Sequence, residues 1–120
     1  MLTRQELGQL GEKLAVKYLQ QQGYKIVEQN YYCRLGEIDI IAFKDDYLVF
    51  IEVKTKRNQN FGSPWVEVNC HKQQKIHQVA RHYISRQGYL ETNFRFDVIG
   101  VFYSCSQDYQ LSHLENAFSV

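Results

Sequence analysis

A chain of 120 residues with 44% apolar and 22% charged side chains has room for one hydrophobic core and too little for two, so a single domain spanning residues 1–120 is expected. Its formal net charge of +1 excludes a uniformly basic nucleic-acid binder and confines any electrostatic footprint to local groups, here Lys54, Lys56, Arg57, Lys72 and Lys75. No apolar run approaches the roughly 20 residues of a bilayer span, and Thr3 to Glu6 are polar where a signal peptide would be apolar. Cys33, Cys70 and Cys105 are too far apart for a zinc or CxxC pattern. These features point to a cytoplasmic protein with reduced thiols and no membrane association.

Thr3 and Glu6 have capping-box spacing, and Leu7, Leu10, Leu14 and Tyr18 recur at helical period, which predicts a first helix over Arg4 to Gln21, stopped by Gly23. Tyr24 to Tyr32 is rich in aromatic and β-branched residues and reads as a strand. Beyond Gly36, the segments Glu37 to Lys44 and Tyr47 to Lys54 flank Asp45 and Asp46 as a hairpin, completing a three-stranded antiparallel meander. Asn69 can cap a second helix through Arg86, with Ile76, Val79, Ala80 and Tyr83 as its buried stripe and Gly88 at its end. Phe94 to Tyr103 and Tyr109 to Leu114 read as further strands. A strand, a crossover helix and another strand place the two strands parallel. The expected fold class is therefore α/β, with a mixed central sheet.

If the hairpin turns at Asp45 and Asp46, Asp39 falls directly opposite Glu52, with Cβ atoms about 4.5 to 5.5 Å apart. Glu37 then opposes Lys54 and Ile41 opposes Phe50, while Ile38, Ile40, Ala42, Val49, Ile51 and Val53 form an all-apolar opposite face. Two opposed carboxylates on an otherwise apolar hairpin repel, unless a cation or a shifted pKa compensates. Mg²⁺ or Mn²⁺ suits them, being an oxygen-seeking ion held by one or two carboxylates together with substrate phosphates. Lys54, two residues after Glu52 on the same strand face, stands where an ammonium can offset charge on a phosphate. That combination is the chemistry of metal-assisted phosphodiester hydrolysis. The alternative from spacing alone is a solvated, charged sheet edge.

Asp39 followed by Glu52-Val53-Lys54 matches the spaced Asp and Glu-x-Lys core of the PD-(D/E)xK nucleases. The strings GEIDIIAF (Gly36 to Phe43), FIEVKTK (Phe50 to Lys56), RFDVI (Arg95 to Ile99), GEKLA in the first helix and HLENAF (His113 to Phe118) resemble the YraN family. This is an uncharacterised bacterial family with a restriction-endonuclease-like fold, similar in its core to archaeal Holliday junction resolvases. The resemblance implies Asp39 and Glu52 as metal ligands, the backbone carbonyl of Val53 as a third, Lys54 as the catalytic lysine and Glu12 as an acidic residue projected from the first helix. From the residues alone, Glu12 is equally a solvated helix glutamate. The resemblance further implies an endonuclease-like protein acting on nucleic acid, DNA ahead of RNA. A branched substrate would call for two sites and hence a homodimer. The alternative from a different class is a non-catalytic nucleic-acid-binding or repair scaffold of the same fold.

Lys72 and Lys75 fall in the first turns of the second helix, where the helix dipole disfavours positive charge. A phosphate ligand would explain them, with Gln73 between them as a further contact. A solvated helix face is the plainer reading. Lys56 and Arg57 continue from Lys54 toward the Gly62 loop and could track a nucleic-acid backbone, or belong to an ordinary loop. Arg95 and Asp97 share a strand face and are expected to form an ion pair supporting the site. The four histidines, His71, His77, His82 and His113, are expected at surface or packing positions. Tyr31, Tyr32, Phe61 and Trp65 are either core aromatics or stacking groups beside a cleft.

Overall fold

The first helix begins where its cap demands. The Thr3 hydroxyl accepts the Glu6 N–H at 3.1 Å, and the Glu6 carboxylate accepts the Thr3 N–H at 2.9 Å, so two otherwise orphaned donors satisfy each other's acceptors. In the computed structural model of the chain, residues 2–57, 68–89, 91–105 and 107–118 are described. The elements are α1 (Arg4–Gln21), β1 (Lys25–Cys33), β2 (Gly36–Lys44), β3 (Tyr47–Lys56), α2 (Cys70–Gln87), β4 (Asn93–Cys105) and β5 (Asp108–Phe118). The expected helix bounds hold to within a residue, and β4 and β5 run longer than expected. The segment expected to form a loop around Gly62, with Phe61 and Trp65, lies outside the described residues.

The five strands form one sheet in the order β1-β2-β3-β4-β5. β3 and β4 are parallel and the other neighbours antiparallel, so the mixed α/β sheet follows from α2 acting as the crossover. Asn69 caps α2 by accepting the Lys72 N–H at 3.0 Å. Gly88 ends it at φ 75°, a left-handed conformation that glycine adopts without a Cβ penalty.

Each face of the sheet carries one helix. Ala15 and Leu19 of α1 pack on Ile40, Ala42, Val49, Ile51, Val53, Ile99 and Val101. Ile76, Val79, Ala80 and Tyr83 of α2 pack on Ile41, Leu48, Phe50, Phe96 and Val98. The buried stripe of α1 is Leu7, Gly11, Ala15 and Leu19, rotated by one position from the expected Leu7, Leu10, Leu14 and Tyr18. Close approach explains the rotation. A Cβ built on Gly11 would lie 1.8 Å from Thr55 Oγ1, so the middle of the helix meets β3 along its small residues while Leu10 and Leu14 flank the contact. This proximity also brings Glu12 to the end of β2.

The β2–β3 register is the expected one, with Ile40 opposite Ile51, Ile41 opposite Phe50 and Ala42 opposite Val49, turning at Asp45 with φ 54°. One expectation fails. Ile38 does not join the face of Ile40 and Ala42 but packs with Ile41 and Phe50 under α2. A regular strand cannot place residues three apart on one face, so the alternation breaks at Asp39.

Candidate active site

The break at Asp39 creates the site. The β2–β3 ladder ends at Ile40 and Ile51, and Asp39 Oδ2 then accepts the Val53 N–H at 2.8 Å. The side chain thus takes the place of a main-chain acceptor, one residue beyond the Glu52 partner that the register predicts. On β1, Asn30 lies between the partners of Ile40 and Ile38 and adopts φ 53°, an uncommon conformation that asparagine tolerates. The two strands flanking Asp39 therefore depart from regular geometry at the same level.

Glu52 follows Ile51 on the face of Phe50, under α2, and is 8% exposed. Burial, then the Asp39 charge and a hydrogen bond shared with Asp39, push its carboxyl up to about 8, because two carboxylates in a dry site cannot both ionise cheaply. Lys54, half-buried, lies on the Glu52 side of the strand and favours the ionised form, as does Lys72. Glu12 is pushed up to about 7 by burial first and the Asp39 charge second, while a hydrogen bond from Asn30 opposes the shift. Burial and Asp39 also raise Glu37. Glu12, Glu37 and Glu52 therefore all sense Asp39, and the fold brings Glu12, Asp39, Glu52 and Lys54 into one region. Val53 is buried, and its N–H bond to Asp39 fixes the stretch of chain whose carbonyl the family resemblance offers as a ligand.

The other basic candidates separate. Lys72 does not simply face solvent: its Nζ lies 3.5 Å from Glu52 Oε1. Burial would lower its ammonium, but Glu52 beside it reverses the sign. Gln73 turns inward and donates to the Val68 carbonyl at 2.9 Å, bracing the entry to α2. Lys75 is exposed on α2 and Lys56 half-buried at the end of β3. Arg57 donates to the Leu2 carbonyl, tying the strand end to the start of the chain. Tyr31 bonds His82 Nδ1 at 2.9 Å and meets Tyr83 edge to face, whereas Tyr32 is 76% exposed.

A second polar cluster lies on the α1 face. Asp97, 1% exposed, accepts from Arg95 Nε at 3.1 Å, His113 Nε2 at 2.7 Å and the Asn116 N–H at 2.9 Å. Tyr18 bonds His113 Nδ1 at 3.0 Å, and Glu115 receives Arg95 at 3.0 Å and Tyr24 at 3.2 Å. The expected Arg95–Asp97 ion pair is present, but it belongs to this cluster, and His113 is one of its buried members instead of an isolated packing residue. Burial would raise the Asp97 carboxyl; His113, Arg95 and the Asn116 N–H overcome it and hold the group low. The β4–β5 register shifts between Phe96 and Val98, so the three residues 115–117 span the single position of Asp97.

Among the described residues, Asp97, His113 and Glu115 are the group whose donor atoms all lie within 4.8 Å of one another. Their chemistry argues against a metal. Both Asp97 oxygens and both His113 nitrogens already have partners, and Arg95 occupies the centre with its own positive charge. The Asp39–Glu52 pair has the opposite balance: burial and the neighbouring Asp39 charge raise Glu52 more than Lys72 and Lys54 lower it.

The family model for uncharacterised protein family UPF0102 matches residues 11–101. The chain belongs to this family. A UPF0102 protein of Alkaliphilus metalliredigens is 46% identical over 112 residues, covering 93% of this chain and 96% of the relative. One from Caldanaerobacter subterraneus subsp. tengcongensis is 41% identical over 119 residues, 98% of each. The UPF0102 match includes Glu12, Asp39, Glu52, Lys54, Lys72 and Asp97, so both clusters fall at least partly inside it. No helix among the described residues is long and apolar enough to cross a membrane.

Proposed function

We propose that this UPF0102 chain is a divalent-metal-dependent nuclease, cutting phosphodiester bonds of DNA ahead of RNA. The observation that carries the reading is the carboxylate pair of half-buried Asp39 and buried Glu52 at the opened end of the β2–β3 ladder, with Lys54 on the same strand as Glu52. The order of helix, meander, crossover helix and parallel strand supports a restriction-endonuclease-like core.

The residues present fit Mg²⁺ or Mn²⁺: the donors are hard oxygens, and Glu52 and Glu12 stay raised beside Asp39 although Lys72 and Lys54 favour the ionised form of Glu52. Asp39 and Glu52 would hold the ion, with the Val53 carbonyl completing the set. When bound, such an ion activates water and relieves charge on the phosphoryl oxygens. The chain's own contribution is positional. The Val53 N–H holds Asp39, β3 carries Glu52 and Lys54 on one face, and the close α1 contact sets Glu12 beside Asp39. Water attacks phosphorus, the bond to the 3′ oxygen breaks, and Lys54 offsets the charge that grows on the phosphoryl group. The products carry a 5′-phosphate and a 3′-hydroxyl. Lys72, Lys75 and Lys56 are the basic groups nearest to hand for the flanking backbone. A branched substrate calls for a homodimer, and the three free cysteines suit the reducing cytoplasm.

The test is cleavage of labelled single-stranded, duplex, flapped and four-way-junction DNA, and of RNA, with Mg²⁺ or Mn²⁺. Metal-dependent cutting is expected, reduced at least about 100-fold in Glu52→Ala and in Lys54→Ala. Equal cutting by the variants would expose a contaminant. Firm junction binding that survives EDTA, without cutting in any metal, would replace the enzyme with a non-catalytic scaffold.

A further inference from the structure

We propose that Lys72 is the resident counter-ion of the metal-free site, and that it competes with the divalent ion for Glu52 and is released toward substrate phosphate when the ion binds. The inference rests on the nuclease reading above and assigns Lys72 a role beyond that of a surface phosphate contact.

Three observations lead to it. The Lys72 ammonium lies 3.5 Å from Glu52 Oε1, on a carboxylate whose side chain is 9% exposed. An ammonium at that position supplies positive charge where a metal bound to Glu52 would supply it, and the two cations repel. The placement of Lys72 is also locally unfavourable. It lies in the first turn of α2, which contains no acidic residue and where the unpaired N–H groups favour anions. The carboxylates across the gap offset that cost. Finally, the Lys72 side chain is 35% exposed, so its head can leave Glu52 for solvent or a phosphate without unpacking the core. Lys54 differs because it is carried by β3 itself, on the same strand as Glu52, whereas Lys72 reaches the pair from a separate element.

Competition of this kind makes ion binding weak in the free protein and strengthens it once a phosphate takes the ammonium, because coupling between ligands is reciprocal. It also means that Lys72 should oppose metal binding although it sits in the site.

The experiment is a Mn²⁺ titration of the full chain, reading free Mn²⁺ by its paramagnetic resonance signal, for wild type, Lys72→Gln, Lys72→Met, Lys72→Arg and Glu52→Gln. Thermal melts in EDTA and in Mn²⁺ run alongside. Lys72→Gln and Lys72→Met are expected to bind Mn²⁺ roughly five- to tenfold tighter than wild type, and Lys72→Arg to stay near wild type. In EDTA, Lys72→Gln should melt lower than wild type and should gain more on adding Mn²⁺. Wild-type binding that Glu52→Gln abolishes, with affinity unchanged or weaker in both neutral Lys72 variants, would overturn the proposal and leave the metal site standing. Absence of Glu52-dependent Mn²⁺ binding in wild type and Lys72→Gln alike would overturn both.

Discussion

The proposed chemistry turns on a few residues that are costly for stability. Glu52 ordinarily titrates near 4.5 and is held up to about 8 in the folded chain. Between those values the folded state keeps a proton that the unfolded chain has released, so stability falls as pH rises through the interval. The melting temperature of metal-free protein should drop by roughly 10 °C or more from pH 5 to pH 8, and Glu52→Gln should remove the larger part of that slope, with Glu12, also raised, carrying the rest. A slope unchanged in the variant would show that Glu52 is not the group responsible. Gly11 makes a different demand. Gly11→Ala would drive a methyl into Thr55 and should cost about 1–3 kcal/mol by urea unfolding. Thr55→Ala, by removing the nearest atom, should restore part of the loss.

Among the elements, the helices were the most legible. A capping box, an asparagine cap and a terminal glycine mark their ends in local sequence, and the ends fell where those residues put them. The hairpin register was equally readable, because Asp45 and Asp46 fix the turn and every later pair follows. It brought Asp39 and Glu52 together on paper. The failure of alternation at Asp39 was not readable: it depends on Asn30 in the neighbouring strand and on a side chain replacing a backbone acceptor. The Lys72 contact with Glu52 joins residues twenty positions apart that no local rule brings together. His113 was missed for a similar reason. RFDVI and HLENAF are individually visible, but only the β4–β5 pairing, with its shift at Asp97, shows that they complete each other. That cluster should act in stability. Asp97→Ala leaves Arg95 and His113 without their buried acceptor and should cost about 3–5 kcal/mol, with Mn²⁺ affinity unchanged in the folded fraction.

Viewed whole, the molecule places Asp97 on the α1 face of the sheet and Glu52 on the α2 face, with Asp39 at the break between them sensed from α1 by Glu12. The α1 face holds Asp97, balanced by Arg95, His113 and a backbone N–H. Glu52, under α2, senses a second carboxylate close by, and Lys72 and Lys54 offset its burial only in part. The balanced cluster anchors β5 to the first helix, and the unbalanced one is the part of the fold with a reason to bind a cation. Diffraction from crystals soaked in Mn²⁺, read at the manganese absorption edge, distinguishes the two directly. The predicted result is an anomalous peak between the carboxylates of Asp39 and Glu52; a peak at Asp97, His113 and Glu115, or none at Asp39 and Glu52, would contradict the assignment of the active site.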